Sequence, residues 1–459
     1  MKPQTKTKPK NRMYAFAWST RGFSLGVNSL LLMQATFYAT QSLGLSAGLV
    51  GTLFLVSKIF DGVTDLIAGY IIDKTQTKWG KARPYELFLI PTWILTVIFF
   101  STPASMGTTG KIIWVFVLYV LIQAVCVTFL SASETTFLAR STTDDELRAK
   151  ALTVAGILAM LVPTIASIIL PQLIAKWGSQ PGGWTKIMLV YAVPLTIVGL
   201  FRFFFIKEEV EDETAGVQKK DDITLKEGLK AIAKNKYLFL FVGATFICAV
   251  NNNLISGVGT YFFQYVMGDI GKMSLIGMLG LLTPFTLLIF PMTVRKGYAM
   301  NFVKLGLILA VVGNILKYFA GSNMTLVLIG SIIAAVPGSS MLQMIGSLFM
   351  IQCMDYGEWK TGVRVEAMMN SVNGFASKVG AGIASGFLGV LMGATGFVSG
   401  APTQSAGATT AIQMGYSVIP AIFCVLMLVI LHFYDLEKKQ GEIRADLAKR
   451  AEVAQKAAE

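Results

Sequence analysis

The chain has 459 residues, 54% of them hydrophobic and 14% charged, with a mean hydropathy of +0.62. Soluble domains carry about 25% charged residues, so these values exclude a soluble globular enzyme and indicate an integral membrane protein. A net charge of +13 would suit a nucleic-acid binder, but the placement of the basic residues excludes nucleic acid as the partner.

Apolar stretches of about 20 residues recur along the chain, each long enough to cross a core of about 30 Å. Twelve are expected, at 14–41, 48–72, 84–103, 112–139, 150–175, 187–206, 237–263, 273–294, 302–321, 324–353, 366–395 and 410–434. The first is too long for a signal-peptide core and is read as helix 1 of the mature protein. Of 39 Lys and Arg, 28 fall in the N-terminal tail, the even-to-odd connections and the C-terminal tail. Only Lys111, Lys176, Lys186 and Lys272 fall in the odd-to-even connections. That bias places both termini in the cytoplasm. The expected fold is an all-α multi-pass protein of the cell inner (plasma) membrane, with 12 transmembrane helices in two six-helix bundles. The bundles span 1–206 and 237–434, joined by a cytoplasmic linker, 207–236, and followed by a cytoplasmic tail, 435–459.

In helix 1, Thr20, Arg21, Ser24 and Asn28 interrupt the apolar run. Arg21 either lines a cavity or snorkels to the interface. In helix 2, Lys58, Asp61 and Asp65 are spaced i, i+3, i+7 and share one face, with Thr64 on its flank. A carboxylate at mid-membrane costs roughly 2.5–3.5 kcal/mol on insertion scales, and two on one face need a compensating partner. Carboxylate and hydroxyl oxygens suit a hard cation, and without one the two carboxylates raise each other's pKa so that a proton does the coupling. The competing account is a structural Lys58–Asp61 ion pair. It leaves Asp65 without a partner, so the cation site is favoured. Asp73 and Arg83 flank the basic, Gly-punctuated loop that follows. Helix 4 adds Thr128, Ser131, Ser133 and Glu134, which either line a path or join helices. Arg148 lies in the charged connection Asp144, Asp145, Glu146 before helix 5.

The linker opens acidic, from Glu208, and turns basic towards Lys236. Leu225, Leu229 and Ile232 recur at helical spacing there, which fits an amphipathic surface helix and a solvated linker equally. Helix 7 carries Asn251, Asn252 and Asn253 in an apolar run, and at least one amide should face a cavity or a neighbouring helix. Asp355, Glu358, Arg364 and Glu366 precede helix 11, at the position in the second half that Asp144–Arg148 takes in the first. Such clusters at equivalent helix ends are expected to pair across the halves as a cytoplasmic latch, with Asp73, Arg83, Arg148, Asp355, Glu358 and Arg364 as its members; ordinary solvated loop charge is the alternative. Within helix 11, Lys378 lies about 18 Å from the cytoplasmic end at about 1.5 Å per residue, too deep to snorkel. Asn373 and Ser377 lie near it. The tail reads as an exposed or frayed helix. Cys126, Cys248, Cys353 and Cys424 all fall within or at the ends of spans and read as buried apolar residues. With the single His432 at the end of helix 12, no catalytic or zinc constellation is present.

Two segments resemble a known family. Phe60 to Pro84 (F-D-G-V-T-D-L-I-A-G-Y-I-I-D-K-T-Q-T-K-W-G-K-A-R-P) and Asp355 to Arg364 (D-Y-G-E-W-K-T-G-V-R) are similar to the paired signatures of the glycoside-pentoside-hexuronide:cation symporters of the major facilitator superfamily. Gly44 to Val56 also resembles that family, and the likeness runs over nearly the whole chain. The resemblance implies a Na⁺, Li⁺ or H⁺ site at Asp61, Asp65 and Thr128, with Thr64 in place of the usual Asn. It also implies that Lys378 couples cation and sugar sites. The family's sugar contacts fall on Leu25, Ser131, Thr135 and Gly156 here, so hydroxyl partners must come from Glu134, Asn28, Asn251, Asn252, Asn373 or Lys378, beside Arg21 and Lys58. The expected activity is cation-coupled symport of a glycoside or related small polar solute by alternating access. No cofactor beyond the coupling cation is expected, membrane lipid is the surrounding partner, and the protein is expected to be a monomer. A non-sugar amphipathic or lipid-like substrate, and a non-transporting sensor, are the alternatives.

Overall fold

The computed structural model describes residues 10–103, 105–142, 144–208, 225–282, 299–334 and 340–458, and every named element among them is helical. In chain order these are α1 (Lys10–Leu32), α2 (Ala35–Gln41) and α3 (Ala47–Lys74). A 3-10 turn, Arg83–Phe88, leads into α4 (Leu89–Phe99). Then come α5 (Thr108–Val120), a π-helical turn Leu121–Val127, α6 (Thr128–Ser141), α7 (Asp145–Trp177), α8 (Gly183–Gly199) and α9 (Phe201–Phe205). The remaining helices are α10 (Leu225–Ala233), α11 (Lys236–Tyr265), α12 (Met273–Leu279), α13 (Ala299–Ala320), α14 (Met324–Ala334), α15 (Ser340–Thr361), α16 (Glu366–Ala394), α17 (Ala406–Tyr416), α18 (Val418–His432) and α19 (Leu436–Ala458).

Helix starts follow the sequence. Ser46, Asp144, Asn235 and Ser405 stand one residue ahead of α3, α7, α11 and α17, and each accepts a bond from an early backbone N–H of its helix, a donor that the helix itself leaves unpaired. Among the described residues, seven helices are long and apolar enough to cross a membrane: Thr108–Ser141, Glu146–Trp177, Gly183–Phe205, Lys236–Tyr265, Ala299–Ala320, Met368–Ala394 and Ala406–Arg450. The expected segments at 273–294 and 324–353 run into residues outside the described set. Three shorter apolar helices, Ala47–Lys58, Ile270–Leu282 and Met324–Ala334, overlap the expected spans 48–72, 273–294 and 324–353. Outward apolar side chains such as Ile197, Phe319 and Val390 are exposed, as a lipid-facing surface requires.

The chain forms two compact units. One comprises Met1–Gln218, Gly268–Leu281 and Met392–Gln404; the other comprises Lys219–Met267, Leu282–Leu391 and Ser405–Glu459. In the first, α1 packs against α7 so closely that a Cβ on Gly26 would lie 2.8 Å from Pro163 Cγ. Small residues that let helix backbones meet are a means of packing that works in lipid. An aromatic group of Tyr38, Phe99, Phe100 and Trp184 fills the same unit. In the second unit, α13 and α14 meet at Gly313 and Gly330, where either Cβ would strike backbone atoms of the facing helix. Its core gathers Tyr237, Phe241, Phe349, Met427 and Tyr434.

Two surface segments differ from expectation. α10 lays Ala231 and Ile232 into the core of the second unit while Leu229 stays exposed. The tail is not a free helix: Leu436 and Ile443 are buried, and Glu437 accepts the backbone N–H groups of Ala299 and Met300 at 2.9 and 3.0 Å. That carboxylate caps α13 from a distance in sequence that no local pattern displays.

Candidate functional site

On α3, Asp61 is 4% exposed. Its Oδ1 accepts the Thr128 hydroxyl at 3.0 Å, and its Oδ2 lies 3.6 Å from Lys58 Nζ. Lys58 also donates to Gln123 Oε1 at 3.4 Å and lies 5.9 Å from the Tyr119 ring centroid. The π-helical turn Leu121–Val127 ends at Thr128, whose hydroxyl also contacts the Gln123 carbonyl at 3.2 Å. Such a turn re-aims one side chain relative to a regular helix and recurs at functional sites. Thr64 donates to the carbonyls of Phe60 and Asp61, each at 3.1 Å, so its hydroxyl points back along α3. The side chain of Asp65 lies outside the described set. The structure therefore brings Lys58, Asp61 and Thr128 together and sets Thr64 beside them. One carboxylate and hydroxyl oxygens form a hard donor set, which fits Na⁺ or Li⁺, and the carboxylate is equally a proton acceptor.

A second charged group lies in the same unit. Arg21 contacts Glu86 at 3.4 Å and pairs with Glu134; Arg202 contacts Glu86 at 3.5 Å and Glu134 at 3.2 Å. The four side chains form a ring of alternating sign drawn from α1, the 3-10 turn before α4, α6 and α9. Arg21 also donates to the Leu130 carbonyl, and the Arg202 guanidinium lies 3.4 Å from the Trp18 ring centroid. Arg21, Arg202 and Glu86 are almost fully buried, whereas the Glu134 side chain is 42% exposed. Arg21 thus sits inside the unit on two carboxylates rather than at the interface. Glu86 and Arg202 were not singled out in the sequence. Their signal was available, as each is a charge set in or at the end of an apolar run (R-P-Y-E-L-F and L-F-R-F-F-F).

Other singled-out amides sit within single units. Asn28 donates to Thr96 Oγ1 at 2.8 Å and is fully buried. Asn251 is buried, Asn252 donates to Cys248 Sγ at 3.5 Å, and Asn253 donates to the Ala249 carbonyl at 2.8 Å. Asn373 accepts the Thr245 hydroxyl at 2.7 Å, which ties α16 to α11. Lys378 is half-buried on α16. All four cysteines are buried and unbridged.

The loop and helix-end charges form local clamps. Arg83 donates to the Phe203 carbonyl at 3.1 and 2.8 Å, and Arg148 to the Ala139 carbonyl at 2.9 Å. Glu208, which the sequence reading passed over as linker charge, accepts the backbone N–H groups of Lys81, Ala82 and Arg83 at 2.9, 2.7 and 2.7 Å and pairs with Arg140 at 2.9 Å. In the second unit, Asp355 meets Arg364 at 3.3 Å, Gln440 at 2.6 Å and Arg444 at 3.2 Å. Arg364 also pairs with Glu358 at 2.7 Å and Glu366 at 2.5 Å, and bonding to these two carboxylates raises the guanidinium pKa further. Each of these partners belongs to the same unit as the residue it holds. The side chain of Asp73 lies outside the described set.

A family model described as MFS/sugar transport protein matches residues 18–438. The isoprimeverose transporter of Lactiplantibacillus pentosus is 31% identical over 443 residues, covering 95% of this chain and 91% of that protein. The glucuronide carrier protein homolog of Escherichia coli (strain K12) is 22% identical, covering 96% of each chain. Among solved structures, a bacterial homologue of the human lysosomal transporter Spinster superposes with a TM-score of 0.69 at 14% identity, covering 95% of this chain and 98% of that one. At that identity the likeness speaks for the fold alone.

Proposed function

This chain belongs to the MFS/sugar transport protein family, and from that premise we propose that it is a symporter that couples a monovalent cation, Na⁺, Li⁺ or H⁺, to a neutral or near-neutral glycoside. The family makes it a multi-pass membrane transporter of sugar-like substrates and not an enzyme.

The observation that carries the cation half is the buried Asp61 carboxylate, held between the Thr128 hydroxyl and the Lys58 ammonium. A cation arriving at Asp61 competes with that ammonium, so occupancy frees Lys58. This gives a residue whose position reports the ion. Asp65, Thr64 and Thr128 complete the set in this reading. Lys378, the lysine matching the family's coupling position, carries the link to the solute. Cation and solute then favour the same state, and each raises the other's affinity by the same factor. The glycoside half is supported by the isoprimeverose relative and by the polar residues of α6.

The test is a binding screen on the purified full-length protein. Isoprimeverose, methyl glycosides and lysolipids are titrated with and without Na⁺ and at two pH values. Cation-dependent binding of a glycoside supports the reading. Binding of lysolipids alone replaces it with an amphipathic substrate.

A further inference from the structure

The ring of Arg21, Glu86, Glu134 and Arg202 is asymmetric. Its two guanidiniums and Glu86 are sealed inside the unit, and Glu134 alone reaches the open. On α6, Ser131 and Thr135 are exposed beside it. The three residues are spaced i, i+3, i+4 and so occupy one helix face. Polar side chains within a membrane span face a bundle interior or an aqueous cavity rather than lipid. The open face of α6 therefore offers two hydroxyls and one carboxylate oriented from behind by two arginines.

We propose that this face recognises uncharged polyhydroxyl solutes and turns away uronates and sulfonates, with Glu134 as the discriminating acceptor. The proposal rests on the glycoside reading above and deepens it. The geometry assigns the sign. A carboxylate has acceptor capacity only, and Arg21 and Arg202 hold Glu134 from the buried side. The lone pairs left outward accept sugar hydroxyls. The ring's positive charge is beyond the reach of a solute: Arg21 and Arg202 are each 1% exposed or less. An anionic solute meets a fixed negative charge first, and a like-charge approach of this kind is a standard means of rejecting the wrong ligand. Glu86 serves the same end from behind. With it the four formal charges sum to zero, so the ring shows no net positive field to draw an anion in.

The experiment uses the full-length protein in proteoliposomes and counterflow of labelled isoprimeverose. Competitors are methyl β-glucoside and methyl β-glucuronide, which differ only in a hydroxymethyl or a carboxylate group at C6. In the wild type the glucoside is expected to compete and the glucuronide to compete more than about 100-fold less well. Glu134→Asp keeps the discrimination. Glu134→Gln leaves two cations against one anion, and the glucuronide gains ground by at least about tenfold relative to the glucoside. Because that variant strands buried charge, the double variant Glu134→Gln with Arg202→Gln restores neutrality. It is expected to weaken glucoside competition and to narrow the gap between the two glycosides, by less than Glu134→Gln alone does. Equal competition by both glycosides in the wild type overturns the proposal while leaving the glycoside reading intact, as does unchanged selectivity in both Gln variants. Absence of counterflow for isoprimeverose and of any binding by either methyl glycoside contradicts the glycoside reading itself, and this proposal with it.

Discussion

Thr128 and Asp61 lie on different helices, 67 residues apart, and the threonine hydroxyl donates to the buried aspartate at 3.0 Å. Thr128 stands at the end of the π-helical turn Leu121–Val127. The bond fixes one carboxylate oxygen and leaves the other facing Lys58. Removing it frees the carboxylate without changing its charge.

Thr128→Val should therefore weaken cation activation of uptake. Hydrogen bonds to charged groups contribute roughly 1.5–3 kcal/mol, so the half-activating cation concentration is expected to rise about tenfold or more. Thr128→Ser should stay near wild type. Initial rates of solute uptake against cation concentration make the measurement, and an unchanged curve for the valine variant would show that the bond has no part in ion binding.

Arg202 and Glu86 are buried charges with ring partners on either side. Breaking such a pair by removing one partner costs about 3–5 kcal/mol, whereas removing both is far milder. Arg202→Gln should lower the melting temperature of the purified protein more than the double change Arg202→Gln with Glu86→Gln. Equal losses would mean that the two side chains are not energetically coupled.

The Glu208 carboxylate holds three consecutive backbone N–H groups at 81–83. Glu208→Gln should release them, with amide hydrogen exchange at Lys81, Ala82 and Arg83 faster by about 10- to 100-fold, in line with roughly 1.5–3 kcal/mol for a charged acceptor. Gly80→Ala should act in the same direction. Its φ is +114°, and an added Cβ would strike the same carboxylate.

Lys378→Ala should reduce the dependence of solute affinity on the cation more than it reduces affinity itself. Coupling energies of about 1–3 kcal/mol correspond to about 5- to 150-fold in affinity. Titrations with and without saturating cation give the ratio for each protein. A ratio that survives the substitution confines Lys378 to a structural role.

The parts of this architecture legible in the sequence were those written in local pattern. Hydropathy marked the segments in which seven long apolar helices lie among the described residues. The i, i+3, i+7 spacing of Lys58, Asp61 and Asp65 placed a charged face on α3. What stayed hidden was long-range. Glu437 caps α13 and Glu208 binds 81–83 from far along the chain, and each looks like ordinary solvated charge when read in place. Glu86 and Arg202 were hidden for another reason. Each sits near the end of a span, where a charge is unremarkable until its partner is known. The Lys58–Asp61 contact is the ion pair that the sequence offers only as the competing account, and Gln123, the second contact of Lys58, gives no signal beyond being an amide in an apolar run.

The most direct test of the central claim is solute uptake by proteoliposomes driven by an imposed cation gradient, comparing the wild type with Asp61→Asn. Isoprimeverose is the solute, and Na⁺ and H⁺ gradients are imposed separately. The account predicts gradient-driven accumulation by the wild type with one of the two cations. It predicts none by Asp61→Asn, whose purified protein still reconstitutes and still exchanges solute in counterflow. Accumulation by Asp61→Asn at the wild-type rate under the same gradient would contradict it.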